Sequence, residues 1–212
     1  MTISKADTLK TNRRDMMENI MNAAIVEFSQ HGFNGTSTQA IAQRAGLKKS
    51  QLHYYIVDKE SLYADVLAIV LRYWANLITF DTKCMSPVKV LTQYIRQKLD
   101  FSFAHPELSR IFTNELLSGG QRLEAFWPDA VINTRRKVDL INSWVEEGLL
   151  RKLDGRLLLM HIWAMTQYYA DYATQAELVL EASLQDPGTR ESIFEELVDF
   201  ILLGCGLSPS KE

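Results

Sequence analysis

From Arg13 onward, apolar residues return every three or four positions, the period of a helix with one buried face. Met17, Ile20, Ala24, Ile25 and Phe28 form the first such stripe, and His31-Gly32 closes it. Phe33 to Leu62 then carries two short patterns separated by Ala45-Gly46-Leu47. Ser37 or Thr38 caps the first, and Ile41, Ala42 and Ala45 share one of its faces. Gly46 supplies the left-handed stop of a tight helix end, and Leu47 is an apolar plug for the crevice beside it. The second pattern opens at Lys48 or Lys49 and turns Leu52 and Tyr55 inward, with Ile56 behind them. Its outward positions are Lys49, Ser50, Gln51, His53 and Tyr54, which bring donors and no carboxylate. The spacing predicts a helix-turn-helix inside a compact three-helix head, with the second short helix as its recognition element.

The rest of the chain repeats the helical period. Asp58 is placed to cap a helix through about Phe80, with Leu62, Val66, Ile69, Tyr73 and Leu77 as its stripe. No breaker separates it from the head, so it reads as a rigid lever into the body. After a polar link at 81–86, Pro87 sits in a first turn, and Val90, Leu91, Tyr94, Ile95, Leu99 and Phe103 follow. His105-Pro106 opens a shorter helix bearing Leu108, Ile111, Phe112 and Leu116, and Ser118-Gly119-Gly120 ends it. A long pattern runs from Gln121 or Pro128 to Glu147, a very apolar one from Asp154 or Gly155 to about Glu181, and a last one from about Thr189 to Leu203. The last two show apolar residues on more than one face, which predicts pairing with a second copy of the chain. The expectation is an all-α protein: a polar, mobile arm over 1–12, a helix-turn-helix DNA-binding domain over 13–57, and a helical dimerisation body over 58–207.

Composition narrows the class. The 212 residues are 47% hydrophobic and 23% charged, enough for a buried core, and the net charge of −3 excludes a uniformly basic nucleic-acid coat. The charge is uneven: residues 1–60 hold eight Lys/Arg against six Asp/Glu, and the remainder fifteen against twenty. A mildly basic head on an acidic body suits a local DNA contact. No apolar run approaches the roughly 18 residues of a membrane span. Cys84 and Cys205 lie far apart without metal-ligand spacing and no signal peptide is evident, which points to the cytoplasm. Four scattered histidines and no glycine-rich phosphate loop leave an enzyme without support, so no catalytic residue, metal site or cofactor is expected.

The run Gly35-Thr36, Ile41-Ala42, Ala45-Gly46, Leu52, Tyr54-Tyr55, Lys59-Glu60-Leu62 resembles the head motif of the TetR family of one-component transcriptional regulators in order and spacing. Lys48 stands where the family often has a capping Ser, and Ile56 where it usually has Phe. The body resembles a narrower group, the regulators of pyrimidine utilisation, through residues 93–99, 106–112 and 162–171 together with Tyr73-Trp74. This resemblance implies about nine helices, a homodimer and a ligand pocket in the body. Resemblance and side-chain chemistry together assign Thr36, Thr38, Lys48, Lys49, Ser50, Gln51, His53, Tyr54 and Lys59 to the DNA surface. Gln51 and Lys49 match purine edges, whereas Thr36, Tyr54 and Lys59 suit phosphates. Trp74, Phe112, Trp163, Gln167 and Tyr168 are the pocket candidates, with Trp163 and Gln167 four apart on one helix face. His105 and His161 read as structural or solvent-facing. The expected function is a ligand-responsive regulator, a repressor, that binds a palindromic double-stranded DNA operator as a dimer and answers a pyrimidine-like small molecule. The alternatives are the same regulator with a hydrophobic or polycyclic effector, and a helical protein-binding adaptor that binds no DNA.

Overall fold

The computed structural model describes the backbone of residues 5–76 and 86–208, and side chains from Asn12 onward. Among the described residues there are ten α-helices and no strand: α1 Lys5–Gly35, α2 Thr38–Arg44, α3 Lys49–Leu52, α4 Lys59–Asn76, α5 Pro87–Ala104, α6 Pro106–Leu117, α7 Trp127–Glu146, α8 Gly155–Asp171, α9 Ala173–Leu180 and α10 Pro187–Gly204. The all-α expectation holds. Two compact units make up the chain, Met1–Val70 with Arg110–Leu123, and Leu71–Ser109 with Glu124–Glu212.

In the first unit the expected arm is helical from Lys5, since nothing between Lys5 and Arg13 interrupts a helix. The stop expected at His31-Gly32 takes the form of a kink, where Gly32 adopts φ 65° and ψ −179° before one more turn of α1. Ile20, Ala24 and Phe28 of α1, Ile41 and Ala42 of α2, Leu52 of α3, and Leu62, Val66 and Leu67 of α4 are all essentially without exposure and make the interior of this unit. Ser37 is the N-cap of α2 and accepts from the Ala40 N–H at 3.1 Å. Gly46 takes φ 72°, and the Leu47 N–H closes the turn onto the Ala42 carbonyl at 2.8 Å.

The same unit includes residues 110–123, held by an acid in its interior. Glu115 is 2% exposed and accepts from the Arg122 backbone N–H at 3.0 Å and from its guanidinium at 3.4 Å. That guanidinium lies 3.8 Å from the centroid of the Phe33 ring, and the Lys59 ammonium lies 4.2 Å from the same centroid. Phe33 therefore joins two cations that its quadrupole attracts. Burial, and next to it the Glu115 carboxylate, push the Tyr63 hydroxyl far above its ordinary range.

In the second unit α5 packs on α8 and α10, and α7 packs on α8. Tyr94, Ile95, Leu99, Ile141, Trp144, Ile162, Leu197 and Ile201 lie at the centre of its core. Pro87 stands in the first turn of α5 behind the Ser86 cap, and Asp154 caps α8 through the Arg156 N–H at 2.9 Å. The single helix expected from Asp154 or Gly155 to Glu181 is two: Tyr172 at φ −117° and ψ 31° separates α8 from α9. No proline or glycine marks this break. Across it the Tyr172 ring stacks on Tyr168 at 5.2 Å, and the Tyr168 hydroxyl donates to Gln175 at 3.1 Å. The end expected near Phe80 for the lever helix, and the link at 81–85, lie outside the described residues.

Candidate nucleic-acid interface and effector site

Residues 45–57 contain no acid, and α3 projects from them as one short turn of helix. Lys48, Lys49, Ser50, Gln51, His53 and Tyr54 are all exposed, whereas Leu52 and Ile56 are buried and Tyr55 is half-buried, as the pattern required. Neither Lys48 nor Lys49 enters an ion pair or a side-chain hydrogen bond among the described residues, so both charges are available to an outside partner. Tyr54 is 73% exposed, and the Arg13 guanidinium of α1 stands 5.8 Å from its ring centroid. Arg13 thus joins the same surface from outside the helix-turn-helix. Lys48 brings no capping oxygen, and Gln51 caps the helix in its place, its Oε1 accepting the Lys48 backbone N–H at 2.9 Å. The Gln51 amide oxygen is committed to holding α3, and its exposed NH2 group is left to donate outward.

Two of the nine residues assigned to DNA are placed elsewhere. Thr36 is 3% exposed, and its hydroxyl lies 2.8 Å from the Gly32 carbonyl and 3.0 Å from that of Glu27. It satisfies the backbone that the kink at Gly32 would otherwise orphan, so it is no phosphate ligand. Lys59 donates to the carbonyls of Phe33 at 2.9 Å and Thr36 at 3.0 Å while resting on the Phe33 ring. Its charge ties the turn before α2 to the start of α4. Thr38, in the first turn of α2, is half-buried. Sequence reasoning also passed over Glu27, buried beneath α2, whose carboxylate receives Arg44 Nε at 2.7 Å and fixes the last turn of α2 on α1.

The pocket candidates divide. Trp74, Trp163, Gln167 and Tyr168 belong to the second unit, and Phe112, 8% exposed, to the first. Trp163 Nε1–H donates to the Tyr94 hydroxyl at 2.5 Å. One turn along α5 from Tyr94, the Lys98 ammonium lies 4.4 Å from the centroid of Trp74. The two tryptophans therefore converge on neighbouring turns of α5. Tyr168 does not join them: it lines an open groove of about 660 Å³ with Met165, Tyr169, Leu180, Leu197 and Phe200. Five residues after Trp163, it has turned about 140° around the helix axis, away from the tryptophan. His161 is exposed, and His105 packs against Phe101 and Tyr73, consistent with structural or solvent-facing roles.

Lys98 was missed, and it is the most unusual group in the second unit. It is 7% exposed, and burial, reinforced by Lys137 and opposed by Asp171, pushes its amine down to about 7. The signal was present: Lys98 falls on the buried stripe of α5, four residues after Tyr94 and three before Phe101. Among the described residues no cluster of three His, Cys, Asp or Glu side chains could hold a metal ion. None of their helices is long and apolar enough to cross a membrane.

Residues 20–66 match the family model for bacterial regulatory proteins of the tetR family, and residues 67–208 match the C-terminal region of YcdC-like proteins. The HTH-type transcriptional regulator RutR of Escherichia coli K12 is 38% identical over 181 residues, covering 85% of this chain and 84% of RutR. In fold, the chain is similar to the ketosteroid transcriptional regulator KstR2 of Mycobacterium tuberculosis, with a TM-score of 0.73 at 19% identity, covering 89% of this chain and 93% of KstR2. It is also similar to AibR, solved with isovaleryl coenzyme A and operator DNA, with a TM-score of 0.68 at 19% identity over 92% of this chain and 98% of AibR. These relatives are regulators of transcription and not enzymes. With both halves matched, and with a helix-turn-helix head in place, the chain belongs to the TetR family of bacterial transcriptional regulators.

Proposed function

We propose that this transcriptional regulator acts in the cytoplasm as a homodimer, gripping a pseudo-palindromic operator and yielding it when a flat, pyrimidine-like effector occupies the second unit. The observation that carries the DNA contact is the exposed, acid-free surface of residues 48–54, with two lysines engaged by no acid among the described residues. Arg13, Lys48, Lys49 and Tyr54 suit phosphates, and Lys49, Gln51 and His53 suit base edges. A single four-residue helix reads too few bases to be specific. Two copies related by a two-fold axis, with recognition helices about 34–36 Å apart, supply the missing contacts.

Dimerisation is supported by apolar side chains that remain exposed on the last three helices. Leu157 and Met160 on α8, Leu178 and Val179 on α9, and Phe200 and Leu203 on α10 are all more than half exposed. A second copy of the same surface would remove them from water. The effector reading rests on Trp74, Trp163 and the half-buried Gln167, which offer aromatic faces and an amide. α4 runs unbroken from Lys59 to Asn76, with residues in both units, and is the element through which occupancy would bias DNA affinity. The effector shifts that equilibrium only by its preference for one state over the other.

Gel-shift titrations of the operator at increasing salt test the DNA reading. The logarithm of the binding constant should fall linearly with that of salt concentration, with a slope close to the number of phosphates neutralised. A salt-independent constant, or operator binding that survives Lys49→Ala with Gln51→Ala, refutes it and favours a protein-binding adaptor. A thermal-shift screen of uracil, thymine, flavonoids and fatty-acyl compounds tests the effector; stabilisation only by long-chain or polycyclic molecules refutes the pyrimidine reading.

A further inference from the structure

The side chain that holds the start of α3 is also an amide that faces out of it. Lys48, the residue before the helix, has no oxygen to offer, and Gln51 folds back over the first turn instead. Its Oε1 accepts the Lys48 N–H at 2.9 Å, while its own backbone N–H donates to the Lys48 carbonyl at 2.9 Å. A backbone N–H can be met only by the amide oxygen, so this bond fixes which way round the amide stands. Gln51 is exposed, and its NH2 group makes no hydrogen bond among the described residues.

Its surroundings share the bias toward donors. Residues 28–57 contain no acid, and the carboxylates at either end of that stretch are engaged. Glu27 receives Arg44 Nε at 2.7 Å, and Asp58 accepts the Ser61 N–H at 2.7 Å. The exposed ammonium groups of Lys48 and Lys49 only donate, while the hydroxyls of Ser50 and Tyr54 and the His53 ring can do either. Glutamine ordinarily matches adenine by presenting both halves of its amide together, oxygen to the N6 amine and NH2 to N7. Here an adenine would need the oxygen turned outward beside the NH2, which pulls it from the Lys48 N–H. An amide that offers its NH2 alone suits an edge made of acceptors. In the major groove guanine shows two, O6 and N7, and no donor, and the two hydrogens of one NH2 can serve both.

We propose that Gln51 is a donor-only reader, selecting guanine over adenine in each half of the operator by donating to O6 and N7, and that its bond to the Lys48 N–H sets this choice. The inference rests on the DNA reading given above and adds the base and the atom that reads it. Capping and reading are then two roles of one amide, and they leave different signatures. Loss of a cap weakens binding to every sequence alike, whereas loss of a reader removes the preference at one position.

Selection of binding sites from a randomised duplex library tests this, with the full-length protein and with its Gln51→Ala and Gln51→Glu variants. The wild type should select a guanine at a symmetry-related position of each half-site. Gln51→Ala should lose that preference and keep the rest of the site. Gln51→Glu can still receive the Lys48 N–H through one carboxylate oxygen but shows an acceptor outward. It should move the same position from guanine toward cytosine, whose N4 amine donates. Replacing that guanine by 7-deazaguanine, which lacks N7, should weaken the wild type roughly tenfold and leave Gln51→Ala unaffected. Any base other than guanine at the position that Gln51→Ala relaxes, or a site in which that change relaxes nothing, overturns the inference and leaves DNA binding standing. Failure of the wild type to enrich any sequence overturns the DNA reading and this inference together. Should the variants not fold, the unaltered protein decides: a selected half-site in which no guanine is sensitive to the 7-deaza replacement overturns the proposal.

Discussion

Thr36 and Lys59 show how a side chain's chemistry can be used within a motif that was expected to turn it toward a ligand. The kink at Gly32 turns carbonyls away from helical partners, and the Thr36 hydroxyl and the Lys59 ammonium are what meet them. Thr36→Val should cost about 1–3 kcal/mol by leaving those acceptors short of a donor, and Thr36→Ser should recover most of it. Chemical denaturation measures the loss, and operator affinity per folded molecule should not change. Lys98 carries a pH signature of its own. Because its folded pKa of about 7 lies below the ordinary value of 10.5, the unfolded chain binds more protons between those limits. Stability should therefore rise as pH increases from about 7 toward 10, and the penalty should be complete below 7. Lys98→Met should flatten this slope in melts across that range and raise the melting temperature at pH 6, by about 2–4 °C for each kcal/mol relieved.

At the level of elements, the head is secured at each turn by a specific cap or latch. Ser37 holds the start of α2, and Ser37→Ala should destabilise the protein by about 1 kcal/mol in a urea titration. Arg122 is the more consequential latch, since it satisfies the interior carboxylate of Glu115 and faces the Phe33 ring. Arg122→Ala leaves that carboxylate without its cation and should cost about 1–3 kcal/mol. Adding Glu115→Gln should return part of the loss, a coupling that a double-mutant cycle measures directly. Among the elements, helix identity was legible where glycine, proline or a capping residue punctuated the period, as at Gly46, Pro87 and Asp154. The break between α8 and α9 was not legible, because Tyr172 is no helix breaker. It is a change of backbone dihedral at a residue that a helix readily accepts, with Tyr172 at φ −117° and ψ 31°.

For the whole molecule, the proposed dimer has a direct test. Phe200→Asp with Leu203→Asp places charge on the exposed apolar side of α10, at two side chains each 63% exposed. Light scattering should report a monomer, and the double variant should bind a full operator at least tenfold more weakly than the wild type. A dimer that persists at micromolar concentration would refute this face as the interface. The matched pair of charges across that operator cannot be supplied by one copy, so dimer loss and DNA loss should appear together.

What the chain declares by order alone is the all-helical class, the helix-turn-helix and the acid-free face of α3, because these follow from periods and punctuation within a few residues of one another. The family motif is equally local, lying in order along residues 35–62. Only the tertiary structure decided which polar groups are turned inward. Thr36 and Lys59 were claimed by carbonyls exposed at a kink, and Lys98 was buried beside Trp74. The physical reason is that a polar side chain's role depends on which partners reach it, and those partners arrive from distant parts of the chain only when it folds.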